Sequence, residues 1–418
     1  MTQSRTGAHE ASEMQSLSWQ TALGVTLLMQ TVAAFLGQVL PVLAPLLTSG
    51  AGVSPQGIGY LSALTSFGTV LFLAFGGPLL ARLGPVRSLQ LGTGLAALSL
   101  LLATSGLWVG LLACALLLGV GYGPTPPAGS RILAATAPPR HRTLIFSLKQ
   151  AGAPAGGAFA GLAIAPAASA WGWPVALAIS LAIGLAACLV IAPLRPRMDV
   201  ERDPARSVHP RVLFHPNTLA LPMRALRSDP LLIPLTGLAV SFAVVQGCLF
   251  SFGVTFLATD RGLGLDRAGF AYGCMQLSGV VARIGLGWLA DRTGRPAHNL
   301  TAQAYGAAVL VVAFAWIPDG ASLPVVALIC GAVGLLGASW NGIYLAEVAR
   351  LAPPELIVDA TSGSTLFTFL GYVAGPAVFS ILVDLIGGWR LPFVLAAGQL
   401  AAMAAVQTVL LLRRARSP

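Results

Sequence analysis

The sequence predicts an all-α polytopic membrane protein of twelve transmembrane helices, and three observations carry that prediction. Of 418 residues, 56% are hydrophobic and only 9% charged, with a mean hydropathy of +0.80; a soluble chain has about a quarter of its residues charged. Apolar runs of roughly 20 residues recur along the whole length, each able to span a hydrocarbon core of about 30 Å. The basic residues gather in alternate loops, as the positive-inside rule demands of an inserted bundle. The ten-residue alternating strands of a membrane barrel are absent.

The spans are expected at 19–45, 57–81, 88–105, 107–136, 143–168, 173–194, 230–257, 268–290, 298–317, 322–349, 358–386 and 388–412. Residues 1–18 form a polar cytoplasmic tail without the pattern of a cleavable signal. With both termini inside, 18 of the 24 basic residues fall in cytoplasmic segments, among them Arg82, Arg87, Arg140, Arg142 and the seven arginines from Arg195 to Arg227. The opposite loops carry Arg261, Arg267 and Arg390. The net charge of +10 is therefore a topology signal, and no nucleic-acid partner is needed to explain it.

The one long polar stretch, 195–229, holds Pro196, Pro204, Pro210 and Pro216 and separates a six-helix bundle at 19–194 from a second at 230–412, with a short tail at 413–418. An internal repeat supports this division: Gly77-Pro-Leu-Leu-Ala-Arg-Leu-Gly84 at the end of span 2 echoes Gly287-Trp-Leu-Ala-Asp291-Arg292-Thr-Gly294-Arg295 at the end of span 8. Trp173-Pro174 before span 6 is likewise echoed by Trp389-Arg390-Leu391-Pro392 before span 12. Two repeated halves around a midplane site are a transporter architecture.

The run from Gly287 to Arg295 resembles the signature loop of the major facilitator superfamily, and the likeness in helix count, middle loop and repeat extends over essentially the whole chain. The resemblance implies that Asp291 and Arg292, with Gly287, Gly294 and Arg295 shaping the loop, clamp neighbouring helix ends in one conformation. The N-terminal copy carries Ala81 where the aspartate belongs, so gating is expected to be asymmetric. Spans 1, 4, 7 and 10 line the cavity in this superfamily. That implies Gln30, Gln38, Tyr122, Gln246, Trp340, Asn341 and Tyr344 as substrate-facing candidates, with Phe367 and Tyr372 of span 11 beside them.

Charge inside the membrane marks the candidate site most sharply. Lys149 is the only lysine of the chain, and no aspartate or glutamate occurs between Met14 and Met198. It lies about 10 Å into span 5 at 1.5 Å per residue. Arg283, eight residues before Asp291, lies about 12 Å into span 8 from the same side. One cation from each half at similar depth makes a two-point clamp for an anion, and guanidinium presents a planar fork suited to carboxylate. The residues leave alternatives open: Lys149 reaching back to the interface, Arg283 paired with Asp291 or Glu347, and Arg131 as an interfacial anchor. Val281-Ala-Arg283 with Gly287 also resembles span 8 of the monocarboxylate and oxalate-type anion porters, which implies Arg283 as a carboxylate contact; their proton-site aspartate is replaced by Gly279. The drug:proton antiporter motifs are not matched, with Ala115 at the arginine position and only Pro154-Ala-Gly156-Gly157 in span 5.

No P-loop, HExxH or GxSxG occurs, and the five cysteines are scattered through apolar runs, so neither an enzyme nor a metal or other cofactor is expected. The sequence points to a secondary transporter of a small organic anion, working as a monomer in membrane lipid by exchange, uniport or symport. Its competitors are an exporter of amphiphilic or drug-like compounds and a non-transporting receptor.

Overall fold

The computed structural model describes residues 18–50, 52–54, 57–138, 142–200, 202–209, 223–353 and 356–416. The N-terminal tail before residue 18, His9, Arg140, His141, Arg211 and His215 lie outside the described residues.

Every long element is a helix, and the charge-poor sequence shows why: a backbone with no water to bond must satisfy itself. Span 1 is α1 (Trp19–Gly50). Span 2 is α2 (Gly57–Phe75) followed by α3 (Gly77–Leu83), and span 3 is α4 (Pro85–Ala103). Span 4 is α5 (Trp108–Tyr122) and α6 (Thr125–Thr136). Span 5 is α7 (Arg142–Phe159), a π turn at Ala160–Ile164, and α8 (Ala165–Trp171). Span 6 is α9 (Trp173–Val190), after which the short α10 (Arg195–Met198) opens the middle loop.

The second half repeats the plan. Span 7 is α11 (Leu232–Thr255) with a π turn at Phe256–Asp260, span 8 is α12 (Leu265–Thr293), and span 9 is α13 (Pro296–Ala315). Span 10 is α14 (Leu323–Gly337) and α15 (Asn341–Leu351), span 11 is α16 (Ile357–Ile386), and span 12 is α17 (Arg390–Arg416). Ten of these spans are long and apolar enough to cross a membrane by composition alone. α12 and α13, with 29 and 20 residues, complete the twelve. Large apolar side chains such as Leu189, Leu328 and Leu385, each at least 74% exposed, clothe the outside as lipid requires.

The breaks and overruns have local causes. Pro41 and Pro45 lie inside α1 without ending it, and that helix runs past the expected residue 45 to Gly50. In span 4, Pro124, Pro126 and Pro127 break the helix at Gly123–Pro124, because clustered prolines remove the amide donors the helix needs. Span 10 breaks at Ala338–Trp340 with no proline nearby.

The two halves meet where side chains are absent. A Cβ on Gly59 of α2 would run into Ser380 and Pro376 of α16 and Phe252 of α11. Gly161 and Gly269 bring spans 5 and 8 together so closely that a Cβ on Gly161 would lie 2.7 Å from the Gly269 carbonyl oxygen. These contacts seal the molecular face opposite the chain termini. Small residues allow such backbone approach between membrane helices.

Candidate functional site

Arg283 projects from α12, whose other side carries Val281 71% exposed to the outside. Its guanidinium is half-buried and spends its donors on neutral oxygens. Nε and Nη2 donate to the Ala338 carbonyl at 3.3 and 3.1 Å, Nη2 donates to Asn341 Oδ1 at 3.3 Å, and Nη1 donates to the Gln150 carbonyl at 2.8 Å. Four of the five N–H groups are used, and one on Nη1 is left. The break in span 10 explains two of these bonds, since it frees the Ala338 carbonyl. Gln150 belongs to span 5, so the arginine ties the two halves together. It pairs with neither Asp291 nor Glu347, the partners the sequence offered: Glu347 is held by Arg350 at 2.6 Å, and Asp291 is exposed.

Around Arg283 stand side chains from both halves. Gln30 Nε2 of α1 donates to the Tyr122 hydroxyl at 2.8 Å, and Gln30 Oε1 is buried with no donor among the described residues. Across the midline, Tyr372 OH and Trp340 Nε1 both donate to Gln246 Oε1, at 2.8 and 2.9 Å. Trp340 stacks on Phe242 with ring centroids 5.4 Å apart, which fixes the indole. Tyr344 lies one turn further along α15 and donates to Thr236 at 3.2 Å. Gln30, Tyr122, Gln246, Trp340 and Asn341 are thus brought to one level of the bundle with Arg283.

Lys149 is buried, 1% exposed. It does not reach back to the interface: a Cβ on Gly129 would lie 2.7 Å from its Cε and 3.3 Å from its Nζ, with Thr26 on the far side. Spans 1, 4 and 5 enclose it. Among the described residues no hydrogen bond or ion pair holds its ammonium. Gln150, the next residue, gives its carbonyl to Arg283, so α7 carries Lys149 and the acceptor for Arg283 at adjacent positions.

Gln38 and Phe367 sit elsewhere. Gln38 accepts a 2.6 Å bond from Tyr272 OH, which in turn accepts one from Gln276 Nε2 at 2.6 Å, and this cross-half link belongs to the sealed face. Phe367 lines a separate cleft beside α11. Tyr272, Gln276 and Thr236 escaped the sequence reading, although Tyr272 and Gln276, four residues apart on an apolar helix, form a visible polar pair.

The signature loop ends α12 with Gly294 at φ 62°, a left-handed cap that suits glycine. Arg292 lies over the Trp288 ring at 5.2 Å, and Asp291, Arg292 and Arg295 are exposed. Among the described residues they make no ion pair with the N-terminal half. The N-terminal copy is built differently. Asp199, just after α10, is buried and accepts from the backbone N–H of Val86 at 2.7 Å and of Arg87 at 3.1 Å, capping α4. The Arg87 side chain adds a contact at 3.9 Å. Burial pushes the Asp199 carboxyl above its ordinary range, and the two N–H bonds and the charges of Arg87 and Arg195 oppose it.

Comparison with known proteins agrees with this architecture. The family model of the Major Facilitator Superfamily matches residues 26–362. The 4-hydroxybenzoate transporter PcaK of Pseudomonas aeruginosa is 27% identical over 401 residues, covering 88% of this chain and 87% of that protein. The hexuronate transporter of Bacillus subtilis is 24% identical over 408 residues, covering 90% of each. In fold the chain is similar to the nucleoside transporter NupG, with a TM-score of 0.73 at 16% identity over 93% of this chain and 99% of that one. It is also similar to an inward-facing bacterial homologue of the lysosomal transporter Spinster, with a TM-score of 0.71 at 17% identity over 94% and 96%.

Proposed function

The chain belongs to the Major Facilitator Superfamily and is a transporter of small organic substrates; we propose that its substrate is an organic anion, a carboxylate, taken up beside Arg283 and Lys149. The observation that carries the reading is uncompensated charge. Arg283 has only neutral acceptors, Lys149 has none among the described residues, and no carboxylate pairs with either. Charge without a partner is costly in so apolar a setting, and an anion entering it gains several kcal/mol against about 1 in water. The free Nη1 hydrogen and the neighbouring Tyr122 hydroxyl, which accepts from Gln30 and keeps its own hydrogen, supply the donors that would orient a carboxylate. That two relatives are named for transport of organic acids supports the same class.

Transport follows by alternating access. The sealed face is the one opposite the termini, the terminus face is taken as cytoplasmic from its arginine excess, and the exposed signature loop is the disengaged clamp of an inward-facing state. When an anion neutralises the site, the Arg283–Gln150 link between halves weakens, and the halves rock around it. The protein acts as a monomer, since both halves of the site come from one chain. A flux screen in proteoliposomes tests the reading: 4-hydroxybenzoate, glucuronate, lactate and oxalate against neutral nucleosides and organic cations. Flux confined to carboxylates supports it. Flux of cations or neutral amphiphiles with no carboxylate flux overturns it in favour of an exporter of drug-like compounds.

A further inference from the structure

A cleft of about 280 Å³ opens beside the start of α11, lined by Met223, Arg227, Ile233, Gly237, Val240 and Phe367 among others. Its size falls just below that of pockets for drug-sized ligands, which run from about 300 to 1,000 Å³. None of its lining residues belongs to the group around Arg283. Ile233 is 56% exposed and Met223 42% exposed, so the cleft opens outwards at the level where α11 enters the membrane.

The rim is basic and unneutralised. Arg224 and Arg227 are both exposed, and among the described residues neither side chain has an ion pair or hydrogen bond. The preceding stretch, 210–222, contains no carboxylate anywhere in its sequence, only Arg211 and His215 as ionisable groups. The nearest acid in sequence, Asp229, is already committed: it accepts from the Leu231 N–H at 2.7 Å and faces Arg414 at 3.7 Å. An apolar slot with Arg227 in its lining and the exposed Arg224 three residues before it matches one occupant, a lipid with an acyl chain and an anionic headgroup.

We infer that this cleft is a binding site for an anionic phospholipid, with one acyl chain lying between α11 and α16 and the phosphate on Arg224 and Arg227. The site touches the transport machinery at one point. Thr236, in the cleft wall, receives the hydroxyl of Tyr344. A lipid chain there braces α11 against span 10 without entering the substrate path.

Native mass spectrometry of the full-length protein tests this, using equimolar phosphatidylglycerol and phosphatidylcholine of matched chains. Phosphatidylglycerol should be retained in preference, by roughly thirtyfold if each arginine contributes as surface arginines do. The double change Arg224→Gln/Arg227→Gln should bring the two lipids to parity, while Arg206→Gln, an exposed arginine away from the cleft, leaves the preference intact. Gly237→Leu, whose new Cβ meets only the flexible end of Met403, should reduce retention of both lipids. Equal retention in the unaltered protein overturns the inference. So does a preference that survives the double arginine change, which would assign it to the other basic loops. Undiminished retention in Gly237→Leu would mean that something other than lipid fills the slot. If that variant does not fold, the arginine pair alone decides.

Discussion

Lys149 sits against Gly129 with its ammonium enclosed and nothing among the described residues to accept from it. Such a charge destabilises the empty protein, because desolvating an ion costs several kcal/mol and no partner offsets it. Lys149→Met should therefore raise the thermal unfolding temperature in detergent while flux is lost; a structural lysine would give the reverse, a lower temperature. Arg283 makes the opposite case. Its fork ties Ala338, Asn341 and Gln150 at once, so Arg283→Lys keeps the charge, loses most of those bonds and should lower flux by at least about tenfold. Asp199 is a third residue whose chemistry is readable. Its carboxyl is raised above the ordinary value near 4, so the folded state holds its proton more tightly than the unfolded one. The stability linked to that proton is present at low pH and is lost as pH rises through the raised value. In Asp199→Asn the dependence of unfolding temperature on pH should flatten across that window. Asp199→Ala should cost about 1 kcal/mol at low pH for the lost cap of α4, and less as pH rises through that window.

At the scale of elements, spans 4 and 10 matter most, because each breaks beside the site. A bend in span 4 was legible from three prolines in four residues, Pro124, Pro126 and Pro127, and the structure goes further and interrupts the helix there. The break in span 10 was not, since Ala338-Ser-Trp340 carries no breaker. What stabilises it is tertiary: Arg283 takes the freed Ala338 carbonyl, and Gln303 Nε2 donates to Leu336 O at 2.7 Å and to Ser339 Oγ at 3.1 Å. Sequence periodicity cannot see donors supplied from another helix. The same limit hid Asp199, whose role as a cap depends on 113 residues of intervening chain, and the Tyr272–Gln38 link across the halves. Residues picked because they were polar on spans 1, 4, 7 and 10 fared better: Gln30, Tyr122, Gln246, Trp340 and Asn341 gather at one level. Gln38, chosen on the same ground, and Phe367, chosen as an aromatic of span 11, lie elsewhere, because span membership says nothing of depth or face. The close approach at Gly59 gives an element-scale prediction. Gly59→Val places methyl groups where Ser380, Phe252 and the Pro376 carbonyl now stand. The sealed face should then fail to close, seen as increased labelling of single cysteines introduced near residue 55.

The whole molecule is two repeated halves joined tightly on one face, with the Arg283 guanidinium bonded across their junction to the Gln150 carbonyl. The repeat, the twelve spans and the loop between halves were legible because membrane insertion writes its constraints as length and hydropathy. The conformational state was not legible, since it depends on which of two sets of contacts is made. Asp291 and Arg292 are exposed; if they form the proposed clamp, Asp291→Asn should leave substrate binding unchanged and shift the balance between states, slowing flux without altering affinity. All of this rests on the claim that Arg283 and Lys149 receive the anion. The direct test is carboxylate flux into proteoliposomes for Arg283→Gln and Lys149→Gln, each shown to be folded and monodisperse. The account predicts that both lose carboxylate flux, and wild-type flux in both would contradict it.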